Sequence, residues 1–125
     1  MASINSELEH EVHLLHSRMC EGLADPTRIL ILYALSEAPH NVGELAEALR
    51  TPQPTVSRHL KVLREREMVR AERFGPAVRY SLTDPRIIEA LDILRAVLAS
   101  RLKSQAALAL TAVGPEAGSG GGGAA

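Results

Sequence analysis

The sequence predicts a mainly α fold with one small β-hairpin, and three observations carry that prediction. The 125-residue chain is 46% hydrophobic yet has no Trp, one Phe and two Tyr, so its core must be packed from Leu, Ile, Val and Ala, a set that suits helices. Apolar residues recur at helical spacing in successive segments, each opened by a short polar residue or a proline. A single Gly-Pro reversal separates two short β-leaning runs. The length bounds one compact domain, placed at residues 6–105 after a flexible N-terminus at 1–5.

Leu8, Val12, Leu15, Met19 and Leu23 follow at spacings of four, three, four and four, which predicts a first helix over 6–23 whose stripe needs a partner. Asp25 caps a second helix with Pro26 in its first turn, and Ile29, Leu30, Leu32, Tyr33 and Leu35 are its apolar set. Asn41 caps a short third helix, 42–49, with Leu45, Ala46 and Leu49 inward. Thr51 is expected to cap a fourth helix, with Pro52 in its first turn, running to about Glu67. The joint between the third and fourth helices is tight enough for a helix-turn-helix. Val69–Arg73 and Val78–Leu82 predict the hairpin, turning at Phe74-Gly75-Pro76-Ala77. Asp84-Pro85 opens a last helix with Ile87, Ile88, Leu91, Leu94, Val97, Leu98 and Leu102, a stripe long enough that a second chain is expected to cover part of it. From Thr111 periodicity is lost, and 111–125 is expected to be a disordered Gly-rich tail.

The formal charge of −1 hides an uneven distribution. Residues 1–50 carry three Lys/Arg against eight Asp/Glu, whereas 51–82 carry seven against three. That basic excess coincides with the fourth helix and the hairpin, as a localised phosphate-binding footprint requires. The scarcity of aromatics argues against base-stacking single-strand binding. Cys20 is the lone cysteine, which excludes an intrachain disulfide and fits a reducing compartment. No apolar run approaches the roughly 20 residues needed to cross a bilayer. The expected location is cytoplasmic, without membrane association. No paired carboxylates, nucleophile elbow or phosphate-cradling glycine loop stands in an interpretable context, so an enzyme is not expected.

The fourth helix carries most information. Val56, Leu60 and Leu63 fall on one side, with short polar and basic groups on the other, a pattern that lets a helix bury one face while offering the other to a major groove. Gln53, Thr55, Ser57, Arg58 and Lys61 are the side chains expected nearest duplex DNA, with Arg58 suited to a guanine edge and Ser57 to a phosphate or base. The plainer alternative is a solvated helix face. His59 lies at the edge of the buried stripe, where packing or a phosphate contact suits it. Arg70, Arg73 and Arg79 flank the hairpin turn and suit phosphate contact, the alternative being cross-strand pairing with Glu72.

This order of elements is that of a winged helix-turn-helix. The words Leu-Ala-Asp-Pro-Thr-Arg-Ile-Leu-Ile-Leu (23–32), Val-Gly-Glu-Leu-Ala-Glu-Ala-Leu (42–49), Gln-Pro-Thr-Val-Ser-Arg-His-Leu-Lys-Val-Leu (53–63) and Arg-Tyr-Ser-Leu (79–82) resemble the ArsR/SmtB family of bacterial repressors over roughly residues 8–103. The resemblance implies a homodimer paired through first and last helices. It also implies binding to a near-palindromic double-stranded operator through two recognition helices and two wings, and release of DNA when a metal ion or another small inducer binds.

Two sensing sites implied by the family are missing. The thiolate word of metal-sensing members has no sulfur here, its stretch reading Asn41-Val42-Gly43-Glu44-Leu45. The last-helix zinc site keeps Asp84 but has Arg86, Val97 and Ser100 where its partners belong. Beside them stands an unusual set in the first helix. On an α-helical projection, Glu9, His13, His16 and Cys20 fall within about a 60° arc, near His10. With a dimer mate they could hold one divalent ion, nickel or zinc by donor type, with copper a further candidate. The alternatives are a polar helix flank with Cys20 as filler, and thiol or redox sensing by Cys20. A winged-helix dimerisation or adaptor module that binds no DNA is the rival function.

Overall fold

The computed structural model describes residues 3–120, with side chains described as far as Leu110. It divides into two compact units, one ending at Ile88 and the other beginning at Glu89. That division falls inside the single domain expected over 6–105.

Helix α1 (Ser6–Leu14) starts at Asn5, whose side-chain oxygen accepts the Leu8 amide at 2.7 Å, with Glu7 and Glu9 in the first turn complementing the helix dipole. The single helix expected over 6–23 does not run through. Leu15–Cys20 is π-helical, and the Glu21 amide bonds back five residues to the His16 carbonyl at 3.0 Å.

Helix α2 (Pro26–Glu37) opens as expected, Asp25 accepting the Thr27 and Arg28 amides at 2.8 and 3.4 Å. It packs against α3 (Val42–Leu49), α4 (Gln53–Glu65) and the second hairpin strand. Burial on several sides selects Ile31, Leu32 and Leu35, while Leu30 of the apolar set is 53% exposed. α3 begins with a reciprocal capping box: the Asn41 side chain accepts the Glu44 amide at 2.7 Å, and Glu44 accepts the Asn41 amide at 2.9 Å. α4 buries Val56, Leu60 and Leu63, the expected stripe, against Leu45 and the α2 residues in one core.

Strands β1 (Val69–Phe74) and β2 (Ala77–Leu82) pair antiparallel, with Phe74 opposite Ala77 and Val69 opposite Leu82. The reversal is therefore a two-residue turn, one step tighter than expected. Gly75 takes φ +61°, the left-handed conformation such a turn demands. Tyr80 also exchanges backbone bonds of 2.8 and 3.1 Å with His40, which pins β2 to the α2–α3 loop.

Helix α5 runs Arg86–Gly120 and leaves Leu94, Val97, Leu98 and Leu102 exposed. It extends into the stretch expected to be a disordered tail from 111. The Ala- and Leu-rich segment before Thr111 favours helix, and the backbone continues that register. The remainder of that stretch, 121–125, lies outside the described residues.

Candidate nucleic-acid interface

The joint between α3 and α4 places the reading face. Arg50 ends α3 in the left-handed region at φ 52°, and the Thr51 amide bonds to the Ala46 carbonyl at 3.0 Å. The Thr51 hydroxyl donates to the Leu49 carbonyl at 3.0 Å, so Thr51 finishes α3 and does not cap α4 as expected. Pro52 occupies the cap position, its carbonyl accepting the Thr55 and Val56 amides, and Pro54 sits in the first turn. The rigid φ of Pro52 supplies a fixed entry angle where no side-chain cap is present.

On α4, Gln53, Ser57, Arg58 and Lys61 are exposed and Thr55 is half-buried. Among the described residues none of the four exposed side chains has a hydrogen-bond or ion-pair partner, so these four face outward. Gln53, Ser57 and Lys61 lie on one row at four-residue spacing, with Arg58 beside it. The four-residue row continues to Glu65, while Arg64, three residues after Lys61, is a further exposed cation on the same side that helical spacing could have singled out.

The hairpin divides the three arginines that flank its turn between its two faces. Strand alternation puts Arg70 and Arg79 on one face and Arg73 on the other, with Val78 and Tyr80. Arg79 stands directly across from Glu72 in register, yet no ion pair forms between them among the described residues. Its guanidinium sits over the Phe74 ring instead, 5.6 Å from the centroid. This packing holds the cation at the tip of the hairpin.

Between α4 and the hairpin runs an open groove of about 360 Å³, lined by Ser57, Leu60, Lys61, Arg64, Glu65 and Tyr80. Two cations and two hydroxyls border it against one carboxylate, a balance suited to a phosphate oxygen. Tyr80 enters this lining through the hairpin register, which local sequence pattern does not reveal.

Behind the reading face, α4 is tied to the start of α2. Arg28 Nη1 lies 3.2 Å from His59 Nδ1, and His59 Nε2 lies 3.8 Å from Asp25 Oδ1. Desolvation pushes the Asp25 carboxyl upward, but the Thr27 and Arg28 amides with the nearby His59 and Arg28 charges outweigh it and hold the pKa below its usual value. His59 thus packs inward against Arg28 and Asp25, one of the two roles foreseen for it.

Glu9, His13, His16 and Cys20 are all exposed. Among the described residues no group of three or more His, Cys, Asp or Glu side chains is gathered as a metal would need. The π-helical register beyond Leu14 breaks the α-helical projection that aligned these four, so the residues of one chain do not fit a metal by themselves. No described helix is long and apolar enough to cross a membrane.

The sequence profile described as "Bacterial regulatory protein, arsR family" matches residues 25–71, the stretch from the α2 cap into β1. The repressor SmtB of Mycobacterium tuberculosis is 46% identical over 66 residues, covering 53% of this chain and 49% of that protein, so the match spans about half the relative's length. The HTH-type transcriptional regulator CmtR of Mycobacterium bovis is 40% identical over 84 residues, 66% of this chain and 71% of the relative. Among solved structures, M. tuberculosis Rv0081 superposes with a TM-score of 0.66 at 33% identity, covering 82% of this chain and 99% of that one. With the helix-turn-helix and its hairpin already in place, these likenesses mean that the chain belongs to the ArsR/SmtB family of bacterial regulatory proteins.

Proposed function

We propose that the chain is a dimeric, sequence-specific DNA-binding repressor of ArsR/SmtB type that lays α4 in the major groove of a double-stranded operator. One observation carries this reading. α4 buries Val56, Leu60 and Leu63 completely while Gln53, Ser57, Arg58 and Lys61 stand outward without partners, inside the most basic segment of the chain. Arg70, Arg73 and Arg79 then meet phosphates flanking the groove, joined by Arg64. The dimer covers the exposed apolar residues of the first and last helices, Leu8, Val12 and Leu15 on one and Leu94, Val97, Leu98 and Leu102 on the other. A DNA-bound regulator works in the cytoplasm.

The test compares operator and random duplexes. Arg58→Ala is expected to lower discrimination by about 1–3 kcal/mol, whereas Arg79→Ala weakens binding to all duplexes alike. Equal losses on both duplexes for Arg58→Ala would remove its reading role. A chain that shifts no duplex at low salt is the adaptor module.

A metal response is the finer reading, supported by donor type alone. A neighbour of known structure, at 41% identity and TM-score 0.54, is described as a cadmium metal-sensor. Since one chain does not gather Glu9, His13, His16 and Cys20, a nickel or zinc site needs donors from a second copy. Calorimetric titration of Ni²⁺ and Zn²⁺ into the dimer tests it: the expected binding is tighter than micromolar and lost in His13→Ala/His16→Ala. Without such binding, control falls to a redox or protein partner.

A further inference from the structure

A helix ends with carbonyls that lack intrahelical donors, and a buried end must find donors elsewhere. The first helix ends in the π-helical turn Leu15–Cys20 followed by Glu21 and Gly22, and two arginines, one near the start of α2 and one at the end of α4, donate to carbonyls of this stretch, beside the Ala24 amide that bonds to the Glu21 carbonyl. Arg28 Nε donates to the Gly22 carbonyl at 2.8 Å and its Nη2 to the Glu21 carbonyl at 3.2 Å. Arg66, at the end of α4, donates to the Ser17 carbonyl, and its Nη2 lies 3.3 Å from Glu21 Oε1.

Both arginines are also joined to the reading helix. Arg28 reaches His59 in the middle of α4, and Arg66 is itself the residue on which α4 ends. The fit leaves no slack, because Gly22 is buried and a Cβ there would lie 2.8 Å from Met68 Sδ and 3.0 Å from Arg66 Cδ. α4 is thus held at two points to one turn of backbone.

We infer that Arg28 and Arg66 are positioning residues that fasten the reading helix to the carbonyl end of the first helix, so that the backbone of residues 17–22 sets the pose of α4. The consequence for DNA rests on the function proposed above. Any change that resets the first helix, such as closure of a dimer, is then carried to α4 through these two side chains.

Lysine keeps the positive charge but loses the fork by which Arg28 grips two carbonyls and Arg66 a carbonyl and a carboxylate, so Arg28→Lys and Arg66→Lys separate position from charge. In the full chain, with folding checked by thermal melting, each variant is expected to shift backbone amide resonances at 17–22 and along α4 from Val56 to Arg64. Discrimination between a duplex selected by the wild-type protein from a random pool and an unselected duplex should fall roughly tenfold, with random-duplex affinity unchanged. Glu21→Gln, at an exposed side chain, is the milder probe should either lysine variant fail to fold, and is expected to shift the same amides near Arg66. Amide changes that stop at residue 22, or equal losses on both duplexes, would overturn the inference. If α4 amides respond while the wild type binds no duplex, positioning stands and the DNA-reading proposal falls.

Discussion

α4 and the first helix carry the same kind of apolar row and meet opposite fates. On α4, Val56, Leu60 and Leu63 are at most 1% exposed, whereas Leu8, Val12 and Leu15 remain 40%, 49% and 49% exposed. The row on α4 finds α2, α3 and β1 within its own unit. Among the described residues the row on the first helix finds no comparable cover, and the side chains between Leu8 and Val12 are Glu9, His10 and Glu11. Amphipathic spacing therefore specifies that a face will be covered, and the surrounding fold decides by what.

The largest expected effect comes from truncating the covered row. Leu60→Ala should cost about 2–5 kcal/mol in chemical unfolding, because it leaves a cavity that α2 and α3 cannot refill. Leu15→Ala should change the unfolding of the isolated chain by no more than about 0.5 kcal/mol while weakening self-association in sedimentation. Equal destabilisation by the two would erase the contrast.

A smaller effect sharpens the placement of α4 by way of its neighbour. Asn41→Ala removes the acceptor of the capping box and should cost about 1 kcal/mol, read as a lower melting temperature. Smaller again is the response to acid. Arg86 holds the Asp84 carboxyl at about 2 through its side chain and amide, and the Asn41 amide, ahead of His40 and Arg79, lowers Glu44. Both folded-state pKa values lie below the unfolded ones, so the stability they contribute is complete above the ordinary carboxylate range near about 4. The Asp84 part is lost as pH falls toward about 2. Denaturation midpoints measured between these limits should decline, with part of the slope gone in Asp84→Asn.

Features decided by neighbouring residues were legible in the sequence. Asp25-Pro26, Asn41 with Glu44, and the row Val56, Leu60 and Leu63 all act within one or two helical turns, and each stands where its pattern places it. Features decided across long separations were not. Arg66 meets Ser17 across 49 positions, and the π-helical turn it holds reads locally as ordinary helix. Thr51 had two adjacent helix ends to serve, and spacing alone did not say it would finish α3. Of the candidate interface, the α4 donors could be read from periodicity, while Tyr80 and the switch of Arg79 from Glu72 to Phe74 depend on the hairpin register.

The most direct measurement follows backbone amides of the ¹⁵N-labelled chain while a short duplex is added at low salt. The largest changes are expected on Gln53, Ser57, Arg58, Lys61 and Arg64, with lesser ones around Gly75, and added salt should reverse both. Changes confined to the first helix or α5, or none at all, would contradict docking through α4.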